Sequence, residues 1–299
     1  MNPRAAALLD HAKKRLAAAD RDGAAAMLAA VLELEPACLA AHNLREEHRL
    51  AGNFTDWTGV NAIISPEDDI FRFFAAHPDS RNPLRDYIAD GWRTLCELQR
   101  VLDHEGENLY RCRSFLEFAC GHGRFTRHLA PALPPGALTV SDVVPGCMDF
   151  LRRHWPVEGF VSTTDPEALR IPGHYEVVFV LSLFTHLPES AWRAWLRTLY
   201  GRVAPGGLLV LTTHGEEAAR RSGVDWGGRG VAFFAASESQ ALGTQDYGTT
   251  FTSARFVSEA IAAAATPARV VHLPTAFWNY QDAWLLRRDP SPPRTTSRG

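Results

Sequence analysis

Between residues 115 and 213 the sequence alternates repeatedly between short apolar runs and segments whose apolar residues recur at helical spacing. The apolar runs predict strands at Phe115–Phe118, Ala137–Ser141, Phe160–Ser162, Tyr175–Leu181 and Leu208–Thr213. Strands that alternate with helices form a parallel sheet with helices on both faces. Later runs at 270–273 and 283–286 add strands. We therefore predict an α/β fold with a doubly wound, mostly parallel seven-stranded sheet.

The first of these strands runs into a loop of small residues. Glu117 lies within the strand, Ala119, Gly121 and Gly123 alternate along the loop, and a predicted helix begins at Arg124. Small residues allow the backbone to approach a ligand closely and to adopt positive φ. A helix N-terminus behind such a loop favours a nucleotide-bearing ligand. The stretch therefore predicts a nucleotide-type binding site.

Two further acids follow the next two strands. Asp142 lies 19 residues after Gly123, and Asp165 lies 23 residues after Asp142. In a doubly wound sheet the carboxyl ends of the strands meet at one crevice. A carboxylate about 20 residues after the glycines can accept hydrogen bonds from both hydroxyls of a ribose.

Two residues distinguish a dinucleotide from S-adenosylmethionine as the ligand. The dinucleotide pattern requires a third small residue where Thr126 stands. Glu117 would repel a pyrophosphate, whereas it would attract the ammonium group of a methionine. These residues favour S-adenosylmethionine over NAD(P), so an oxidoreductase is the less favoured alternative.

The chain resembles the class I S-adenosylmethionine-dependent methyltransferases, a bacterial group of which often lacks an assigned acceptor, from about Tyr87 to Arg288. The resemblance is carried in order by LEFACGHGR, VSDVVPG, TTDPEAL, LSLFTHLPE and VAPGGLLVLTTHG, with Ala119 where the family usually has glycine. It implies a Rossmann-like methyltransferase fold, S-adenosyl-L-methionine as cofactor and S-adenosyl-L-homocysteine as product. The cofactor-binding residues it implies are Tyr87, Glu117, Ala119, Cys120, Gly121, Gly123, Arg124, Asp142, Val143, Thr164, Asp165, Leu181 and Ser182.

The residues near the transferred methyl group are expected after the fourth and fifth strands. His186 is a candidate general base, because its pKa lies near working pH, with capping or packing of the helix after Pro188 as the alternative. His214 is a second candidate, with a structural role at the strand end as its alternative. Aromatic residues in the late loops are candidates for an acceptor pocket, namely Trp226, Tyr247, Trp278 and Tyr280.

We expect methyl transfer to an oxygen or nitrogen of a small-molecule or glycan-like acceptor. The alternatives are a catalytically weak protein that binds S-adenosylmethionine and acts by interaction, and a protein methyltransferase whose N-terminal helices recruit its substrate.

The chain is predicted to divide into an α/β core domain and flanking segments. We predict an all-α helical hairpin extension at 1–50, a packed linker at 51–83, and the methyltransferase domain at 84–288 with a lid-like insertion at 214–250. The Pro- and Ser-rich tail at 289–299 is predicted to be disordered. The hairpin is expected to pack on the main domain or on a second subunit, in which case the chain is a homodimer.

Charge and cysteine content exclude several classes of protein. The net charge is −3 and no basic run precedes the last dozen residues, so a nucleic-acid partner is not expected. The five cysteines form no CxxC pair, which argues against a metal site or disulfide framework and for a reduced, cytoplasmic setting. No apolar run has the length of a membrane span, so no membrane partner is expected.

Overall fold

The computed structural model describes residues 2–236, 243 and 246–290, and its centre is one mixed sheet. The strands are β1 (Phe115–Phe118), β2 (Leu138–Asp142), β3 (Glu158–Val161), β4 (Tyr175–Val180), β5 (Val203–His214), β6 (Val231–Phe234), β7 (Thr249–Thr252), β8 (Arg269–Phe277) and β9 (Gln281–Arg287). Strands β3, β2, β1, β4 and β5 are parallel neighbours in that order. Strand β9 pairs antiparallel with β5, and β8 pairs antiparallel with β9. The α/β fold with a mostly parallel seven-stranded core sheet is thereby confirmed.

Helices cover both faces of the sheet. They are α1 (Pro3–Ala17), α2 (Arg21–Leu34), α3 (Leu39–Glu47), α4 (Phe54–Thr58), α5 (Asp69–Ala76), α6 (Pro83–His104), α7 (Thr126–Ala132), α8 (Cys147–His154), α9 (Glu189–Tyr200), α10 (Glu216–Arg221) and α11 (Ala254–Ala264), with a short 3₁₀ helix at Leu109–Arg111. Phe115 of β1 packs in a core with α6, α7 and α8, whereas Leu116 packs in a second core with α9 and α11. Successive strand residues thus face opposite helical layers, as the doubly wound topology requires.

Strand β5 begins earlier than the sequence indicates. Pro205, Gly206 and Gly207 were expected to lie before the strand, yet the strand runs from Val203 through them. Gly206 adopts a φ of 80°, and the pairing with β4 shifts register between Tyr175 and Val177. The glycines therefore form an irregularity inside the strand, because its pairing resumes beyond them.

Helix α6 buries the apolar stripe that its sequence predicts, with one exception. Helical spacing places Ile88, Trp92, Leu95 and Leu98 on one face, and all of these are buried except Trp92, which is 57 % exposed. Gly91 occupies the packed position instead, and a Cβ there would overlap the carbonyl oxygen of Arg124. The prediction for Trp92 was wrong because the close approach of the Arg124 backbone leaves room only for Gly91 at this level of the stripe.

The segment from 214 to 250 contains regular structure. Helix α10 and strand β6 lie within it, and β7 begins at its end. Strand β7 pairs with β6 and meets the end of β5, where His214 lies opposite Phe251. Residues 237–242 and 244–245 of the predicted lid, and 291–299 of the predicted tail, lie outside the described residues.

The N-terminal 82 residues form two packed groups. Helices α1, α2 and α3 enclose a small core that includes Leu9, Leu28 and Val31. Helix α5 packs on α6 through a separate core that includes Phe71 and Ile88. Along the described part of the chain, no helix combines the length and apolar character that a bilayer crossing requires.

Candidate functional site

One cavity of about 740 Å³ lies at the carboxyl ends of the parallel strands. It brings together most of the residues that the sequence predicts for the site. These are Glu117, Ala119, Cys120, Gly121, Arg124, Asp142, Val143, Thr164, Asp165, Leu181, Ser182, His186, His214, Tyr247, Trp278 and Tyr280. A cavity of this size can hold a cofactor and a small acceptor together.

The loop after β1 is built from three residues with positive φ. Ala119, Gly121 and Gly123 have φ values of 61°, 56° and 83°. A Cβ on Gly121 would meet open space, so its backbone faces the cavity, whereas a Cβ on Gly123 would lie 2.6 Å from Leu151 Cδ2. Gly123 thus lies below the cavity wall, where it allows the loop to pack closely on α8. Of these three residues only Ala119 has a Cβ, so only Ala119 is sterically disfavoured in this conformation.

Asp142 fixes the loop to the end of β2. Its Oδ2 accepts a hydrogen bond from the backbone N–H of Gly121 at 2.7 Å, and its Oδ1 accepts from Val144 N–H at 2.8 Å. Burial raises the pKa of Asp142, and these backbone donors oppose that rise. The carboxylate is 6 % exposed and borders the cavity, where its remaining lone pairs could accept from ribose hydroxyls.

Glu117 is a buried carboxyl group beside this loop. Burial raises the pKa of Glu117 to about 8, which the hydroxyl of Thr126 opposes by donating to Oε2 at 2.8 Å. The group is therefore largely protonated at neutral pH in the free protein. Burial also raises the pKa of the nearby Cys120 thiol well above its usual range, so Cys120 is not a nucleophile.

Arg124 is held at the cavity by an acid and an aromatic ring. Its guanidinium forms an ion pair with Asp90 of α6 and lies 5.3 Å from the centre of the Trp278 ring. Burial lowers the pKa of Arg124. The backbone N–H of Trp278 donates to Glu97 of α6 at 3.0 Å, which fixes the β8–β9 turn against the same helix. The Arg124 charge is thus compensated within the protein before any ligand binds.

Thr164 and Asp165 lie at the exposed rim beyond β3. The Asp165 carboxylate accepts from the backbone N–H of Glu167 at 2.9 Å and keeps the turn closed. Together with Val143 they border the part of the cavity where the resemblance places the adenine.

His186 is buried and bonded to the segment that leads into β7. Its Nδ1 lies 2.6 Å from the carbonyl oxygen of Gly248, and its ring stacks on Tyr247 with centroids 4.4 Å apart. Nδ1 must carry the proton to bond a carbonyl, so the lone pair of the neutral ring is on Nε2. The N-cap residue of α9 is Pro188, whose side chain makes no capping bond.

His214 belongs to a polar chain that crosses from β5 to β9. Its Nδ1 lies 3.2 Å from the carbonyl oxygen of Thr250, and its Nε2 lies 3.4 Å from the amide nitrogen of Gln281. Gln281 in turn donates to Ser182 Oγ at 3.0 Å. Burial, reinforced by His186, lowers the pKa of His214 to about 4. His214 is therefore neutral at physiological pH, and its Nε2 is occupied as an acceptor.

Three predicted site residues, Tyr87, Gly123 and Trp226, do not line the cavity. Tyr87 is fully buried between Phe71 and Phe74 because α5 packs over α6. Trp226 packs with Ala219 of α10 in a separate apolar cluster. Tyr87 reaches the site indirectly, since its hydroxyl donates to a cavity-lining carboxylate of Asp68.

Sequence reasoning missed one wall of the cavity. Helix α5 and the turn before it contribute Asp68, Asp69, Ile70, Phe73 and Phe74. The signal was present: an Asp that can cap a helix precedes a short, mostly apolar run that is interrupted only by Arg72. The wall was missed because it lies more than 40 residues before the loop that it faces. Among the described residues, no group of three or more acidic, His or Cys side chains could hold a metal ion.

These features fit S-adenosylmethionine. The backbone of Gly121 faces the cavity without a Cβ, Asp142 offers a carboxylate at the ribose position, and Glu117 offers a carboxyl group that can ionise beside an ammonium ion.

A family model described as a methyltransferase domain matches residues 69–239, more than half of the chain. A search of curated proteins finds no match. The solved structures that match include magnesium protoporphyrin IX methyltransferase from Synechocystis PCC 6803 with bound SAH, at 16 % identity over 74 % of this chain and 94 % of that chain, with a TM-score of 0.48. N-methyltransferase NodS from Bradyrhizobium japonicum WM9 in complex with S-adenosylhomocysteine matches at 16 % identity over 74 % and 99 %, with a TM-score of 0.42. An O-methyltransferase family protein from Burkholderia thailandensis matches at 17 % identity over 85 % and 72 %, with a TM-score of 0.46. From the match of the family model, the chain belongs to the methyltransferase domain family and is a class I S-adenosylmethionine-dependent methyltransferase.

Proposed function

We propose that the chain methylates an oxygen or nitrogen atom of a small-molecule or glycan-like acceptor, with His186 as general base. One observation carries the proposal: a single cavity joins the loop after β1 to His186, Tyr247 and the aromatic face of α5. Cofactor and acceptor can therefore meet in one enclosed space.

Chain residues divide between the two ligands. Glu117, the loop from Ala119 to Gly123, Asp142 and the rim at Thr164 and Asp165 would hold S-adenosylmethionine. When bound, the cofactor supplies an electrophilic methyl group on a sulfonium sulfur. An enclosed site favours such a transfer, because charge is dispersed as the reaction proceeds.

His186 takes up the proton that the acceptor must lose. Its Nδ1 proton is committed to the carbonyl of Gly248, so Nε2 is the ring atom that accepts. The stacked Tyr247 ring holds the imidazole plane in place. His214 has a supporting role, since its pKa of about 4 makes it a weak base and its Nε2 already accepts from Gln281.

The cofactor half of the site is tested by calorimetry with S-adenosylhomocysteine. Asp142→Ala removes both the ribose acceptor and the bonds to Gly121 and Val144, so we expect at least a tenfold loss of affinity. Unchanged affinity in this variant would contradict the assignment of Asp142.

The acceptor half is tested with methyl-labelled S-adenosylmethionine and a library of small alcohols, phenols, sugars and amines. We expect label in a small molecule, and a fall in turnover of about 10²–10⁴-fold in His186→Gln with unchanged cofactor affinity. His174→Gln, at an exposed position, is the matched control. Label that appears only in added protein would favour a protein methyltransferase instead.

A further inference from the structure

Arg127 is a fully buried arginine in the first turn of α7. Its Nε donates to the carbonyl oxygen of Gly123 at 3.0 Å, and its Nη1 donates to the carbonyl oxygens of Asn61 and Ile63 at 3.2 and 3.0 Å. Within the described part of the chain, no carboxylate oxygen lies within 4.0 Å of its nitrogens. The guanidinium is therefore stabilised by carbonyl groups from two separate segments.

Aromatic rings complete the surroundings of this charge. Arg127 lies 5.1 Å from the ring centre of Tyr87 and 5.1 Å from that of Trp155. A desolvated guanidinium is costly unless its donors are satisfied, so the segment that carries Asn61 and Ile63 must be docked for the charge to be tolerated. The docked arrangement is thus favoured as a unit.

Tyr87 extends the network from Arg127 to α5. Arg127 Nη2 donates to the Tyr87 hydroxyl at 3.4 Å, and that hydroxyl donates to Oδ2 of Asp68. The other carboxylate oxygen of Asp68 accepts from the backbone N–H groups of Ile70 and Phe71 at 2.9 and 3.1 Å, which caps α5. Burial raises the pKa of Tyr87 well above its usual range, so the hydroxyl keeps its proton.

The network joins the two halves of the cavity. At one end, Gly123 belongs to the loop that faces the cofactor. At the other end, Asp68 caps the helix whose Ile70, Phe73 and Phe74 line the cavity. A change in how firmly the loop is held in place can therefore change how firmly α5 is held in place, through these three side chains.

We propose that Arg127, Tyr87 and Asp68 are positioning residues that link the cofactor loop to α5, so that cofactor binding orders the wall of the acceptor pocket. The proposal rests on the proposed function only in taking α5 as the acceptor wall. By linkage, a bound cofactor that stabilises the docked loop also stabilises the docked helix.

Amide hydrogen exchange measures the order of α5 directly. In the wild type we expect S-adenosylhomocysteine to slow exchange both in the loop 119–125 and in residues 69–76 by at least threefold. Tyr87→Phe keeps the ring packing and removes only the hydroxyl. Exchange of residues 69–76 should then be at least tenfold faster without ligand and should no longer slow when the ligand binds, while the affinity for the ligand changes less than threefold.

Two further variants make the result specific. Asp68→Asn keeps a capping oxygen for α5 but presents an amide N–H to the Tyr87 hydroxyl, so it should reproduce the effect of Tyr87→Phe. Tyr110→Phe removes a hydroxyl from a tyrosine that is 66 % exposed and should leave exchange unchanged.

The network is overturned if residues 69–76 exchange at wild-type rates in both Tyr87→Phe and Asp68→Asn. It is also overturned if bound S-adenosylhomocysteine protects the loop but not α5 in the wild type. Failure of the proposed function looks different, because label would then reach no small molecule while the ligand-free comparison of the variants would still show the network.

Discussion

At the residue scale, Glu117 has two properties, and only one of them can be predicted from the sequence. The acid at the end of β1 indicates a partner for the methionine ammonium group, but its burial and its bond to Thr126 are visible only in the folded chain. Burial raises its pKa to about 8, so a cofactor whose ammonium group binds here, as proposed, would displace a proton.

We therefore expect binding of S-adenosylhomocysteine to release a proton from Glu117. An ammonium group favours the ionised carboxylate, so affinity should rise with pH between about 6 and 8, by at most about tenfold per pH unit. Calorimetry in two buffers with different heats of ionisation measures the released proton. Glu117→Gln should flatten the profile and abolish the release, and a wild-type affinity that is equal at both ends of this range would contradict the assignment.

Ala119 is the other residue whose role becomes clear only in three dimensions. The sequence shows a departure from the usual glycine, and the structure shows that its φ of 61° is one that alanine tolerates and a β-branched residue does not. Ala119→Gly should change the free energy of unfolding by less than about 1 kcal/mol, since relief of strain and gain of unfolded-state entropy oppose each other.

Ala119→Val should instead destabilise the protein by about 2 kcal/mol or more and weaken cofactor binding, because strain of this kind costs about 1–3 kcal/mol. Urea unfolding provides the measurement. Ala232→Val, in strand β6 where valine is favoured, is the control and should be nearly neutral. Equal stability of the two valine variants would show that the loop conformation is not constrained.

At the element scale, the sequence predicted the core strands well because their apolar runs are nearly uninterrupted. It predicted the boundaries of elements less well where a glycine lies inside an element because its missing side chain makes room for a neighbouring segment. Gly207 lies inside β5, where a Cβ would meet the carbonyl oxygen of Glu176, and Gly91 lies inside α6, although glycine ordinarily indicates a break. In both cases the reason is a contact with another segment, which local sequence does not record.

Gly91→Ala tests the crossing of α6 and α7. Alanine would add about 1 kcal/mol of helix propensity, but its Cβ would overlap the Arg124 carbonyl and lie 2.8 Å from His128 Cδ2. A backbone carbonyl cannot swing aside as a side chain can, and overpacking of this kind costs about 1–3 kcal/mol. We expect a net loss of about 1–2 kcal/mol in urea unfolding, together with weaker binding of S-adenosylhomocysteine as Arg124 is displaced.

The exposed Ala89 of the same helix calibrates this experiment. Ala89→Gly should cost about 1 kcal/mol through propensity alone, without an effect on ligand affinity. A stabilised Gly91→Ala protein would mean that the two helices do not cross as closely as described.

At the scale of the whole molecule, the methyltransferase core could be predicted from the sequence, whereas the segments that complete the cavity could not. The core strands and the loop after β1 follow from patterns that are local in sequence. The wall formed by α5 comes from residues more than 40 positions before the loop. Gln281, which completes the polar chain, lies more than 130 positions after the loop. Contacts of that range leave only weak local signals, such as the capping Asp68.

Removal of residues 2–82 should therefore destabilise the core. It exposes Leu84, Tyr87 and Ile88, whose burial contributes about 1.5–3 kcal/mol each, and takes away the carbonyls that satisfy Arg127. The midpoint of thermal unfolding should fall by roughly 10 °C or more. Removal of residues 2–17 alone is the control and should have a much smaller effect, since α1 packs chiefly on α2. Equal midpoints for the shortened and full chains would contradict this account.

The placement of Gln281 in β9 has a consequence for how the protein is made. Strand β9 lies directly beside β5, yet it leaves the ribosome only after the whole of the loop that follows β1. Until then the edge of β5 that faces away from β4 has no neighbouring strand along most of its length. The hydrogen bonds by which Gln281 joins Ser182 to His214 are also missing. A nascent chain that has not yet reached residue 281 thus holds an exposed strand edge and an incomplete site.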